Sequence, residues 1–475
     1  MTEDEFRKVG YQIIDRIADY RSRVAERPVL AQCGPGEVKA QLPSAPPDAP
    51  ESFDDILRDL DRIILPGLTH WQHPEFFGYF PCNGTLSSVL GDYVSTGLGV
   101  LGLAWQSSPA LTELEEVAID WLRQMLGLPD VFQGVIQDTA STSTLVALLC
   151  ARERSTGYGA NRGGLQRERF PMTVYTSRHS HSSVQKAALL AGFGGEHIRA
   201  VDQDAAYAMR ADALQAAVAA DLVAGHQPCA VVATTGTTTT TAIDPLDDIA
   251  RVAKSHGLWF HVDAAMAGSA MVLPECRGLW AGVEHADSIV VNPHKWLGAA
   301  FDCTAYFVRD SEHLVRVMST NPSFLQSSAD GRVKNYRDWG LPLGRRFRAL
   351  KLWFLIREQG ISGLQARLRR DIANARWLAA QVAGVPPWKV LAPVTLQTVC
   401  VRHEPDNLTG DELDRHTLGW ADRINRSGRA YLTPAILDGR WMVRVSIGAE
   451  QTERHHVEVL WKVMREEAEG QPGTR

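Results

Sequence analysis

The sequence contains no apolar run of the roughly 18 residues that a membrane-crossing helix needs. No two cysteines stand at C-x-x-C spacing. The seven present (Cys33, Cys82, Cys150, Cys229, Cys276, Cys303, Cys400) are scattered and odd in number. That suits reduced thiols in a cytoplasm better than a secreted disulfide framework. The opening segment MTEDEFRKVG has no apolar signal core. Basic charge is not in excess: 49 Lys and Arg face 55 Asp and Glu, a net charge of −6 that argues against a nucleic-acid surface. Internal repeats and low-complexity tracts are missing too. Together these absences predict a soluble, cytoplasmic protein with neither a nucleic-acid nor a membrane partner.

What is present looks like an ordinary globular chain, with 45% hydrophobic and 22% charged residues in a length of 475. That length allows about three domain-sized units, or one large enzyme-like domain with appendages, and a core that needs no disulfide or metal staple. Residues 4–28 carry a helical stripe of Phe6, Val9, Ile13, Ile17 and Tyr20. After the Pro-rich connection LPSAPPDAP, a second helical stretch runs from about Ser52 to Ile64. Such short amphipathic helices are expected to pack on another body or another subunit.

From about residue 85 the pattern changes. PMTVYTS (171–177), CAVVATTGT (229–237), LWFHVDA (258–264) and DSIVVN (287–292) read as buried strands. Helical patterns lie between most of them, as in SSVQKAALLAG (182–192) and PLDDIARVAKSHG (245–257). Strands alternating with helices predict a parallel, doubly wound α/β sheet, whose ligands bind at the carboxyl ends of the strands. Beyond about 350, one long helical run and the strand candidates TLQTVCVRH and RWMVRVSIGA predict a smaller α+β domain.

Chemistry-bearing residues gather at those strand ends. In SIVVNPHKWLG, Lys295 follows a strand and a Pro-His turn. It reads either as a solvated surface lysine or as an amine that forms a Schiff base with an aldehyde cofactor. In WFHVDAAMAG, Asp263 ends a strand before small residues. It reads as a helix cap or as the carboxylate that keeps a pyridinium nitrogen protonated, with Ala265 leaving room for a flat ring. In GVIQDTASTSTLVALL, Thr139, Ala140, Ser141, Thr142 and Ser143 lead into a helix, whose first turn suits a phosphate. His179 and His181 lack a third ligand at metal spacing. His181 fits ring stacking as well as capping. Thr237, in ATTGTT, is a candidate polar lining residue. Lysine, carboxylate, phosphate cradle and stacking imidazole on one sheet are what pyridoxal phosphate (PLP) chemistry requires.

With these motifs in view, the sequence resembles the group II PLP-dependent decarboxylases, and within them the aromatic-L-amino-acid (DOPA) decarboxylases, particularly bacterial ones. HWQHPEFFGYFP (70–81), HSHSSVQKAALLAG, HVDAAMAGSA, NPHKWLG and PLGRRFRALKLW (342–353) carry the likeness over nearly the whole chain. The resemblance implies a PLP fold-type-I enzyme: α/β, with a mostly parallel seven-stranded central sheet, helices on both faces, a helical N-terminal arm and a small α+β C-terminal domain. It implies a homodimer with segment 1–85 for dimerisation, 86–350 for PLP binding and 351–475 as the small domain. It gives Lys295 the role of Schiff-base lysine and Asp263 that of partner to the ring nitrogen, with Ala265 beneath the ring and His181 stacked on it. Thr139, Ala140, Ser141, Asn292 and His294 become the phosphate shell. Trp71, Tyr79, Phe80 and Pro81 become an aromatic side-chain pocket that Leu101 and Leu103 reach from the partner subunit and Gly344 shapes. The run Arg345-Arg346-Phe347-Arg348 reads as structural ion pairs.

Phe324 sets the expected product. Amine-forming members carry Tyr in an N-P-S-Y-L motif 29 residues after the lysine. Here NPSFLQS puts Phe324 29 residues after Lys295, the replacement found in aromatic acetaldehyde synthases. Loss of CO2 leaves a carbanion that a phenol can protonate, and loss of a general acid costs about 10²–10⁴ in rate. Oxidation by O2 then competes, giving an aldehyde, ammonia and H2O2 in place of the amine. The other reading keeps a plain decarboxylase, with Phe324 neutral or engineered and His181, Tyr336 or water delivering the proton. An aminotransferase and a silent PLP-fold binder are the rival classes. The first normally needs an Arg for a second carboxylate, and the second has no need of Lys295 and Asp263.

Overall fold

Apolar runs without polar alternation must be covered on both faces, and the four runs read as strands all belong to one sheet. The computed structural model describes residues 1–320, 323 and 329–470. In it the chain forms two units, one of Met1–Pro81, Ala373–Leu391 and Val399–Arg475, the other of Cys82–Ile372 and Ala392–Thr398.

The larger unit holds seven strands: β1 (Gln133–Gln137), β2 (Met172–Ser177), β3 (Ile198–Val201), β4 (Gln227–Thr234), β5 (Trp259–Asp263), β6 (Ser288–Val291) and β7 (Thr304–Val308). Their order is β1-β7-β6-β5-β4-β2-β3. Strands β3, β2, β4, β5 and β6 pair in parallel, as the alternation with helices predicts. Strand β7 runs antiparallel to both β1 and β6. Strand β4 stops at Thr234, short of the predicted 237, because Gly236 at φ 82° turns the chain away. The helix Leu246–His256 forms where expected, with Asp247 and Asp248 in its first turn and Lys254 and His256 in its last. Those charges complement its dipole. Over one face of the sheet, the helices Ala140–Ser155 and Ser182–Leu190 bury Val146, Leu148, Val184 and Ala188 against Val174, Val232 and Trp259.

The smaller unit contains the helix Glu3–Ser22, opened by a Thr2–Glu5 capping box. Its Phe6, Ile13 and Ile17 remain exposed. A four-stranded sheet in the order β10-β11-β9-β8 is built from β8 (Trp388–Val390), β9 (Thr398–His403), β10 (Thr433–Leu437) and β11 (Arg440–Ser446). The helices Gly410–Ser427 and Arg454–Ala468 accompany it. Among the described residues, no helix is long and apolar enough to cross a membrane.

Candidate active site at the carboxyl edge of the sheet

Strand direction decides which side chains meet. The loops after β1, β2, β4, β5 and β6 all leave the same edge of the larger sheet, and antiparallel β7 begins there. They deliver Thr139, Ala140 and Ser141, then His181, Thr237, Asp263 with Ala265, and finally Asn292, His294 and Lys295. Ala140, Ala265 and Val290 pack into one small apolar cluster, leaving a smooth floor.

Lys295 is half-buried in the turn Pro293–Leu297, where the backbone takes φ −94° and ψ −112°. Its neighbours are firmly held. Trp296 Nε1 donates to Asp371 Oδ2 at 2.9 Å, and Arg367 donates to the carbonyls of Trp296 and Leu297 at 2.8 and 2.5 Å. The lysine's own N–H donates to the Asn292 carbonyl at 2.9 Å. Asn292 in turn has its Oδ1 2.9 Å from Thr304 Oγ1.

Asp263 is only 4% exposed, and its Oδ1 accepts the Ala265 N–H at 3.1 Å. Among the described residues no Lys, Arg or His lies within ion-pair distance of it. A buried carboxylate is costly without a cation or several donors. It therefore fits the cationic ring nitrogen of PLP.

His181 caps the helix Ser182–Leu190, its Nδ1 accepting the Ser183 N–H at 3.1 Å. The hydrogen of the neutral ring thus sits on Nε2. Its surface is open, yet the crevice is crowded enough that desolvation, aided by the Lys295 charge and opposed by Asp263, lowers its pKa. Burial pushes His294 down to about 4, and the nearby Lys295 charge acts the same way. Its Nδ1 accepts the Cys303 N–H at 3.0 Å, which again leaves a donor on Nε2. The helix Ala140–Ser155 starts at Thr139 with no side-chain capping bond. Its first-turn N–H groups suit an anion. These donors fit a phosphate group.

Thr237 is fully buried, and its hydroxyl takes the Ala242 N–H at 3.0 Å and lies 3.1 Å from Thr240 Oγ1, which braces the turn after β4. Sequence reading also missed Asp244, whose carboxylate accepts the N–H groups of Thr234 and Met209, each at 2.7 Å. Burial holds its pKa up near about 6.

The Arg run behaves as ion pairs. Arg345 reaches Glu115 at 2.6 Å, Arg348 reaches Asp302 at 2.9 Å and Arg346 lies 3.4 Å from Asp92. Gly344 is close to Leu101 and Leu103 of its own chain, since a Cβ there would stand 3.5 and 4.0 Å from their methyls. Phe324 lies outside the described residues.

In the smaller unit the predicted aromatic residues form a wall. Trp71 stacks on Tyr79 with centroids 5.4 Å apart and on Phe76 at 4.6 Å. Tyr431, which no local motif announces, stacks on Phe76 and has its hydroxyl 3.1 Å from that of Tyr79. Gly78 leaves room for the Tyr431 ring, since a Cβ would approach it to 2.3 Å. Phe80 lies under the guanidinium of Arg444, 4.8 Å from its ring, and Pro81 is buried beside it in sequence. Arg444 also donates to the Tyr79 carbonyl at 3.2 Å, and burial pushes its pKa down to about 10. It too escaped sequence reading, because a single Arg in a strand announces nothing.

The sheet and its edge define a fold-type-I PLP enzyme. The chain belongs to the pyridoxal-dependent decarboxylase family, whose conserved-domain model matches residues 35–404. It is 40% identical over 481 residues to a phenylacetaldehyde synthase of Arabidopsis thaliana, covering 98% of this chain and 96% of that one. To tryptophan decarboxylase 2 of Oryza sativa subsp. japonica it is 39% identical over 478 residues, covering 98% and 95%. A solved structure of Oryza sativa TDC with PLP and tryptamine superposes with a TM-score of 0.96 at 35% identity, over 99% of each chain. The expected family holds, whereas these relatives are plant enzymes and give no support to the bacterial DOPA decarboxylases in particular.

Proposed function

We propose that this enzyme decarboxylates an aromatic L-amino acid and that Phe324 diverts the product toward an aromatic acetaldehyde. The observation that carries the first part is the meeting of Lys295, Asp263 and the open helix start at Thr139 on one sheet edge. In this reading Lys295 would hold PLP through its amine, Thr139, Ala140, Ser141, Asn292 and His294 would hold its phosphate, Asp263 its ring nitrogen, and Ala265 and His181 its two faces. Bound there, PLP supplies an electron sink for the carbanion that CO2 loss leaves at Cα. The wall of Trp71, Tyr79, Phe80, Pro81 and Tyr431 offers flat apolar faces of the kind that recognise an aromatic ring. The exposed stripe of Phe6, Ile13 and Ile17 supports a homodimer, in which Leu101 and Leu103, with Gly344 beside them, complete the partner's pocket.

Position 324 governs where the proton comes from. Phe keeps the ring and lacks the O–H, so it returns no proton to Cα. The balanced outcome is amino acid, O2 and water giving aldehyde, CO2, ammonia and H2O2. A second reading rests on His181, whose Nε2–H is a donor of its own and would yield the amine. Both outcomes occur among the relatives' names, an acetaldehyde synthase and a decarboxylase.

The deciding experiment gives the PLP-loaded enzyme L-phenylalanine, L-tyrosine, L-DOPA or L-tryptophan in air and follows O2, CO2, aldehyde, amine and H2O2. Aldehyde matched by O2 uptake is expected, with Phe324→Tyr restoring amine. Amine and CO2 without O2 uptake would assign the proton to another group and leave Phe324 as packing.

A further inference from the structure

Two buried polar atoms flank Asp263 with no hydrogen-bond partner among the described residues. One is Nε2 of His261, two residues earlier on β5 and so on the same face of the sheet. The other is Oγ1 of Thr234, the residue that faces Asp263 in register on β4. His261 is fully buried and Thr234 is 4% exposed. Buried polar atoms left alone are rare and call for a reason.

The rest of the imidazole is carefully placed. Trp259 Nε1, which can only donate, reaches Ser288 Oγ at 2.9 Å, and Ser288 Oγ lies 2.8 Å from His261 Nδ1. With one lone pair on the indole, the Ser288 hydroxyl can give its hydrogen to Nδ1, and the hydrogen of the neutral ring then sits on Nε2, which has no partner among the described residues. Burial keeps the ring neutral, holding its pKa near about 4 against the pull of Asp263. The other titratable neighbour is Tyr306, whose ring centre is 6.4 Å away.

We propose that His261, its tautomer set by Ser288, is a positioning residue that holds the Asp263 carboxylate in place, its Nε2–H and the Thr234 hydroxyl serving the carboxylate through ordered water. This rests on the reading of Asp263 as the partner of the cofactor's ring nitrogen. A buried carboxylate with a single amide donor is poorly satisfied, and extra donors hold it in place toward the ring nitrogen. His261 thus acts through Asp263 and touches neither cofactor nor substrate.

The test measures PLP affinity by equilibrium titration of the apoenzyme, and the pH dependence of the bound cofactor's visible absorbance. The variants are His261→Leu, Ser288→Ala and Asp263→Asn. His261→Leu is expected to weaken PLP binding about ten- to a hundredfold, the equivalent of one hydrogen bond to a charged group. It should also move the absorbance transition to a different pH. Ser288→Ala, which leaves the imidazole in place, should move the same transition in the same direction by less. If Asp263→Asn loses PLP while both other variants titrate like the unaltered enzyme, the role of His261 is wrong and the reading of Asp263 stands. If Asp263→Asn itself binds PLP with undiminished affinity, that reading falls and takes the inference with it. Ser288→Ala keeps the test decisive should His261→Leu fold poorly.

Discussion

The hydroxyl of Thr304 lies 2.9 Å from Oδ1 of Asn292, and it is equally 2.9 Å from the carbonyl of Asp138. Strand β7 thereby ties two loops of the sheet edge together: the one before Lys295 and the one before Thr139. An antiparallel strand inside a parallel sheet achieves this because its first residue lies where its neighbours end. Thr304→Val removes the hydroxyl at nearly constant volume. The expected result is a stability loss of about 1–2 kcal/mol and faster PLP release on dialysis, with Thr304→Ser restoring both. Wild-type PLP retention in the Val variant would show that the two loops need no such tie.

The pair Arg345–Glu115 is nearly dry, with side-chain exposures of 6% and 0%. Each partner also serves residue 136, Glu115 accepting its N–H at 2.8 Å and Arg345 donating to its carbonyl at 2.6 Å. Removing one charge strands the other, so Glu115→Gln should cost about 3–5 kcal/mol in urea unfolding. The double variant Glu115→Leu with Arg345→Met should be less damaged than either single change. Additive losses would mean that the two side chains stabilise the protein independently.

Strand positions and helix ends were legible where one local pattern sufficed. The runs at 171–177 and 258–264 gave β2 and β5 almost to the residue. The direction of β7 was not legible, since TAYFV looks the same in either direction and only pairing decides. GVIQ carries no strand signal of its own in the sequence, and it is β1, a short strand whose Gly134 packs against Ile119 and Phe307. In the site, Lys295, Asp263 and His181 stood out because an ionisable group beside a buried strand is unusual. Tyr431, Arg444 and Thr304 did not, because their partners lie far away in the sequence. Thr237 and Thr240 show the limit of composition: in a run of similar threonines, only the turn geometry tells which hydroxyls face inward.

The aromatic wall depends on the absence of a side chain at 78. A methyl there would meet the Tyr431 ring at 2.3 Å, and Tyr79, at φ 47°, is already fixed by its N–H to Thr433 Oγ1 at 2.7 Å. Gly78→Ala should therefore displace Tyr431, with an overpacking cost of about 1–3 kcal/mol. In steady-state kinetics KM for the amino acid should rise more than kcat falls. An unchanged KM would separate the wall from substrate binding.

Stability should fall in mild acid, and the sign follows from which groups bind protons. Burial holds His70, His261, His294 and His403 at about 4, below the ordinary imidazole value near 6.5. Between those limits the unfolded chain takes up protons that the folded one refuses, so their contribution is complete above about 6.5 and is lost as pH falls toward 4. Asp244 and Asp371 act oppositely. Burial raises both to about 6, so the folded chain binds protons first and gains stability as pH falls from 6 toward 4. Four groups outweigh two, which leaves a net loss of the order of a few kcal/mol. Thermal unfolding of the PLP-loaded enzyme from pH 7.5 to 4.5 should give a melting temperature that declines below about 6.5. His403→Gln, which removes one refusing imidazole distant in sequence from the PLP motifs, should make the decline shallower. A melting temperature that stays level or rises through this range would mean that the buried imidazoles find compensating partners when protonated.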